Sequence, residues 1–193
     1  MQFAKWITPL VIVVAVVVPA VTVRGQVPVQ FTNIDDAVDF RFFNVATSRV
    51  VGNKLIIGFN TDRDPASWLA NDFRASTAAL SRRWAMDTIS FNVTAPSGYY
   101  ITKITYSQKG TGSMIRTGKV SGQTTWLVGG FAYDVGTFAT KPTLSKSLDV
   151  SRLRWSSVPV SVTTTLSAYA TTSLGSASLS ITGAEVLVEV APK

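Results

Sequence analysis

The stretch MDTISFNVT, residues 86–94, alternates without a fault: Ile89, Phe91 and Val93 are apolar, and Thr88, Ser90 and Asn92 between them are polar. Side chains of a strand point alternately to opposite faces, so the stretch predicts a half-buried strand with Ile89, Phe91 and Val93 together on the core side. APSG then turns the chain, and YYITKITYS alternates again, with Ile101 and Lys103 on one parity and Tyr100, Thr102, Ile104 and Tyr106 on the other. QKGTGS reads as a glycine-rich turn into MIRTGKV, which predicts a hairpin. QTTWLV, FAYDV, VPVSVTTTLSAYA, SASLSIT and AEVLVEV follow as further short strands separated by turn residues. That texture predicts an all-β chain, an antiparallel β-sandwich of about 8 to 11 strands, and not a βαβ protein.

Upstream, VQFTNI, VDFRFFNV and NKLIIGFN read as three strands ahead of any helix signal. In NTDRDPASWLANDF, Asp64 can cap a helix whose first residue is Pro65, where the missing N–H costs nothing. Trp68, Leu69 and Phe73 fall at near-helical spacing, so one short helix is expected over Pro65–Phe73. RASTAALSRRWA, which comes next, fits either an extension of that helix or a loop.

The chain opens MQFAKWITPLVIVVAVVVPAVTVRGQ. Lys5 and the α-amino group precede an apolar core, and small residues follow where a signal peptidase cuts, so export is expected. The apolar run from Trp6 to Val23 is also long enough to span: roughly 18 helical residues at about 1.5 Å each reach about 27 Å. Trp6 beside Lys5 at one end and Arg24 at the other suit the two interfaces of a bilayer. These features favour an N-terminal hydrophobic helix kept as an anchor, with Trp6, Leu10, Val14 and Val18 along the span; cleavage would give a secreted protein. The expected organisation is residues 1–25 as anchor or signal peptide and 26–193 as one exported domain, large enough to build a real core.

With no histidine among the 193 residues, the chain lacks Ser-His nucleophiles and imidazole ligands for metal or haem. With no cysteine it has no disulfide, thiolate site or lipid-bearing thiol. Carboxylates remain. Asp35, Asp36 and Asp39 could supply an acid/base pair only if a second carboxylate faced them across a cleft. Asp62 and Asp64 lack the remaining ligands of a calcium loop and read better as a turn and helix cap. No catalytic residue, cofactor or metal is expected.

The net charge is +7. Lys103, Lys109, Arg116, Lys119, Lys141 and Lys146 lie in a region where Asp134 is the only acid, interleaved with Tyr99, Tyr100, Tyr106 and Trp126. Tyr99, Tyr100, Lys103, Tyr106, Lys109, Arg116, Lys119 and Trp126 therefore form a candidate interaction face, suited to anionic lipid, an acidic partner or polysaccharide; nucleic acid is not expected for an exported chain. The competing reading is that lysines on wet strand positions protect sheet edges and tyrosines simply favour sheets.

FNVTAPSGYYITKITYSQKGTGS followed by GQTTWLVGG resembles the extracytoplasmic β-sandwich domains of bacterial exported proteins, many of which carry a PEP-type C-terminal sorting signal. The likeness covers roughly Met86 onward. The closing EVLVEVAPK departs from it in having no sorting motif, so the expected anchor is the N-terminal one. One span carrying a cofactor-free periplasmic sandwich is also similar in architecture to small accessory subunits that brace bacterial membrane assemblies, such as photosynthetic reaction-centre and antenna complexes. The resulting expectation is a non-catalytic subunit in the inner membrane, its domain in the periplasm, with membrane-complex subunits as partners. The alternative is a secreted module that recognises surface or matrix polysaccharide.

Overall fold

A computed structural model describes residues 28–36, 43–59, 73–74, 81–115, 117–139, 143–170 and 176–193. Eleven strands lie among them: β1 (Gln30–Asp36), β2 (Phe43–Val51), β3 (Lys54–Phe59), β4 (Phe73–Arg74), β5 (Ser81–Thr94), β6 (Tyr99–Ile115), β7 (Gly118–Val128), β8 (Phe131–Phe138), β9 (Leu144–Asp149), β10 (Ser157–Ala170) and β11 (Ser176–Pro192). A 3-10 turn spans Ser151–Leu153. Among the described residues no helix is long and apolar enough to cross a membrane. The expected anchor with Trp6, Leu10, Val14 and Val18 lies outside the described residues, as do Asp39, Asp62 and Asp64.

The strands form two antiparallel sheets. One has the order β1-β5-β10-β7-β8; the other runs β2-β3-β11-β6-β9, with β4 pairing the start of β11. Their inner faces share one core, an arrangement that fits a β-sandwich. Ile89, Phe91 and Val93 are buried as their alternation predicts, and Val158, Val160 and Val162 face the same interior from β10. Leu55, Ile57, Ile104, Val186 and Val188 close the core from the second sheet. Asp87 shares the inward parity of β5, and its Oδ2 accepts the backbone N–H of Phe43 at 2.7 Å, tying β5 to the first residue of β2 in the other sheet.

Two central-strand residues show how the backbone accommodates this packing. Pro159 sits near the top of β10, a strand hydrogen-bonded on both sides. Its carbonyl accepts the N–H of Gly129, just past the end of β7. The missing N–H of Pro159 thus faces the place where its neighbour strand has already turned away. Gly122 lies opposite Phe138, and a Cβ there would fall inside the Phe138 ring, so the close approach requires glycine.

Several expectations are corrected. QKGTGS is not a turn: β6 runs straight through it, with Gly110 opposite Ile181 and Gly112 opposite Leu179. β6 and β7 belong to different sheets, so they form no hairpin. SASLSIT and AEVLVEV are one strand, β11, and Gly183 lies at an irregularity in its pairing, not at a turn. The expected helix over Pro65–Phe73 lies outside the described residues except for Phe73, which is in β4, where pairing with Ala177 takes up its backbone groups. Of RASTAALSRRWA, Arg74 is in β4 and Ser81–Ala85 belong to β5.

Candidate interaction surface

The register places a set of connections at one end of the sandwich, here called the upper end. β1 starts there, Gln30 opposite Thr94, and β10 starts there, Ser157 opposite the same residue. Val29 N–H donates to Asn53 Oδ1 at 3.0 Å, and Val188 N–H donates to the Asn53 carbonyl, which fixes the β2–β3 turn beside the start of the described chain. The β5–β6 turn is joined to the residue after β11 by the Lys193 N–H donating to the Gly98 carbonyl. The segment from Val150 to Ser156 crosses between the sheets, its backbone bonded to Ala95, Ile101 and Thr102.

That crossing segment, VSRLRWS, is firmly held. Asp149 Oδ1 accepts the Ser151 N–H at 2.9 Å at the start of the 3-10 turn. The hydrogen bonds from the Ser151 hydroxyl and amide hold the Asp149 carboxyl below its usual value of 3.8, with a smaller pull from Arg152 and Lys103. Arg154 closes the turn in the left-handed region, φ 48°, and its guanidinium lies 4.8 Å from the centre of the Tyr100 ring, a cation–π contact. Trp155 packs on the β7–β8 turn so closely that a Cβ on Gly129 would come within 2.6 Å of its ring. Pinned on both sides, the turn presents Arg152 and Leu153 outward. Leu153 is 49% exposed and Phe131, at the top of β8, 59%. Across the same end, at the β2–β3 turn, Val51 is 56% exposed.

The expected face of eight residues is not assembled. Tyr106 and Trp126 are core residues, 0% and 1% exposed, with ring centres 6.3 Å apart, so neither can meet a partner. Plain alternation turns Tyr106 inward between outward Lys103 and Lys109, and Trp126 inward between Thr125 and Leu127; above Lys103 the parity of β6 changes, because Glu189 and Val190 of β11 pair with Lys103 and Ile101 and Thr102 is an extra residue. Ile101 above the bulge and Ile104, Tyr106 and Gln108 below it all turn inward. Lys103 is half-buried on the outer side and pairs with Glu189 at 2.8 Å. Lys109 is exposed on β6 of one sheet and Lys119 on β7 of the other, so these two cations belong to different sheets. Arg116 lies outside the described residues. Tyr99 and Tyr100, both half-buried, are at the upper end. What the structure brings together is therefore Tyr100 with Arg154, beside Arg152, Leu153 and Trp155 of the same turn, with Phe131 at the same end of the sandwich. Sequence reasoning passed over Arg152–Trp155; the signal was the alternation of cation and apolar residue in RLRW.

Elsewhere, a concavity of about 1130 Å³ near the lower ends of β7, β8 and β10 is lined by Ser121, Gln123, Thr137, Phe138, Thr165 and Ser167, among others. Among the described residues that line it, none is ionisable. The outer face of the first sheet is rich in hydroxyls bonded in pairs across strands, Thr88 with Thr163 at 2.8 Å and Thr94 with Ser157 at 3.0 Å. Among the described residues no three His, Cys, Asp or Glu side chains cluster as a metal site would require. No protein-family model matches the chain, and comparison with curated proteins found no match.

Proposed function

We propose that this chain is a non-catalytic, membrane-anchored subunit whose β-sandwich lies on the periplasmic side and stabilises a membrane protein complex. Bacterial photosynthetic reaction-centre and antenna assemblies are the example its architecture resembles. One observation carries the reading. The apolar N-terminal sequence joins the described chain at Pro28, at the same end of the sandwich that exposes Val51, Phe131 and Leu153. An anchored subunit meets the membrane with the end from which its anchor leaves, and its flanks then stand beside the other subunits in that membrane. Two attachments on one chain, the span and this end, reinforce each other through effective concentration.

The polysaccharide reading is weaker. It relied on the rings of Tyr99, Tyr100, Tyr106 and Trp126, and two of them, Tyr106 and Trp126, are in the core. The test is gentle solubilisation of native membranes, followed by asking whether the chain co-migrates with a larger assembly at fixed stoichiometry. Deleting the residues before Gln26 should loosen that association and leave the sandwich folded. A full-length chain that always runs alone, or native chains that all begin near Val21 or Gln26, would reject the proposal.

A further inference from the structure

We infer that the upper end of the sandwich is a lipid-docking surface: it rests on an anionic phospholipid bilayer, with Leu153 and Phe131 in the headgroup layer and Arg152 and Arg154 on lipid phosphates. This rests on the anchored reading above and adds the partner that the end itself touches.

The first argument is length. If the span ends at Arg24, four residues reach from it to Pro28, at most about 14 Å when fully extended. The headgroup layer takes up roughly 5 to 8 Å of that. Val29, tied to Asn53, is thus held within several ångströms of the lipid, and the end that carries it cannot stand clear of the membrane surface.

The second argument is chemistry. Leu153 projects from a turn between two exposed arginines, and Phe131 is exposed at the top of the neighbouring edge strand. Half-buried Tyr100 and Trp155 lie behind them. Aromatic rings, a short apolar protrusion and cations together match the layered polarity of a bilayer interface, and each arginine near an anionic leaflet adds attraction. The acid nearest the turn, Asp149, accepts the Ser151 N–H, and Glu189 is paired with Lys103. The third argument is rigidity. Arg154 on Tyr100 and Trp155 on Gly129 hold the turn in place before any lipid arrives, so little order is lost on docking.

The absence of cysteine makes the test clean, because one introduced thiol is the only one to label. Full-length Leu153→Cys and Met114→Cys chains, the latter marking an exposed residue near the far end of β6, are labelled with a fluorophore and reconstituted. The vesicles are phosphatidylcholine with about a third phosphatidylglycerol, carrying brominated acyl chains as quencher. The expected result is flotation with the vesicles and quenching several-fold greater at Leu153→Cys than at Met114→Cys, with Arg152→Glu reducing the difference. Flotation with equal, weak quenching at both positions would overturn the docking and leave the anchored reading standing. A Leu153→Cys label shielded only when a purified membrane assembly is present, and not by lipid alone, would make this end a protein contact and overturn the lipid assignment. A chain that fails to float would reject the anchored reading and the inference with it.

Discussion

Phe91→Ala tests the assignment of faces on which every placement above depends. Phe91 is 2% exposed toward the upper end of β5, opposite Val160 of β10, and its ring centre lies 6.0 Å from that of Phe31 at 55°. Truncation removes a fully enclosed ring from a site walled by two sheets, which collapses poorly, so the expected cost is about 3 to 5 kcal/mol. The lost tilted pair with Phe31 accounts for about 0.5 to 1.5 kcal/mol of it. For a domain of about 165 residues, each kcal/mol moves the melting temperature by about 2 to 4 °C, so a fall of about 6 to 20 °C is expected.

Circular dichroism melts and urea titrations of the parent and variant give the number directly. Leu127→Ala is the matched control: Leu127 is 44% exposed on the outer face of the same sheet, and its truncation should stay within about 0.5 kcal/mol. If Phe91→Ala melted within a degree or two of the parent, or if Leu127→Ala cost as much, the inner and outer faces would have been exchanged and the reasoning refuted.

Asp87→Ala should cost about 1 to 3 kcal/mol in urea denaturation, because the Phe43 N–H that Asp87 accepts at 2.7 Å would lose that acceptor in a buried place. Gly122→Ala should destabilise by about 1 to 3 kcal/mol, since its Cβ meets the Phe138 ring, and Phe138→Leu in the same chain should recover part of the loss. Asp149 has a folded pKa below 3.8, so its contribution is fully present above that value and is lost as pH falls through the lower folded value. Asp149→Asn should therefore reduce the acid sensitivity of the urea midpoint below about pH 4, by a small amount because the group is fully exposed.

The all-β class and the inward face of β5 were legible because alternation with period two has one structural meaning when one face is wet and the other dry. Other features were written in pairings that no local stretch reveals. The glycines of QKGTGS carry turn chemistry, yet Gly110 and Gly112 are held opposite Ile181 and Leu179 by the long β6–β11 ladder. The small conformational cost of strand glycines is outweighed by continuous hydrogen bonding. β9 went unread because its only same-side apolar residues, Leu144 and Leu148, have Lys146 between them, opposite Tyr106. An edge strand can carry such a charge, and gains protection from edge-to-edge pairing by doing so. The interaction face failed because residues close in sequence alternate in direction: Tyr106 is on the inward parity of β6 and Lys103 and Lys109 on the outward one, while the extra residue at Thr102 reverses the parity only above them.

Why Tyr106 belongs inside is answered by its partners. Its hydroxyl donates to Gln108 Oε1 at 2.8 Å, Thr124 Oγ1 donates to the same oxygen at 3.0 Å, and Thr124 is bonded to Thr164, also at 3.0 Å. Tyr106 and Gln108 come from one sheet, Thr124 and Thr164 from the other, and none is more than 1% exposed. Burial pushes the Tyr106 phenol well above the usual tyrosine range, so it stays a neutral donor at any pH the fold meets. Such a network contributes modestly to stability but strongly to register: a slip of one residue in β6 would put Ser107 or Lys109 where Gln108 stands and take from the Thr124 hydroxyl of the other sheet the acceptor that Gln108 supplies. The same register, carried up β6 through the Thr102 bulge, sets where Ile101 N–H meets the Trp155 carbonyl and where Tyr100 lies beneath Arg154. The shape of the exposed end is therefore held in place by hydrogen bonds in the dry middle of the sandwich, which is why residues read as surface chemistry from the sequence act on the surface from within the core.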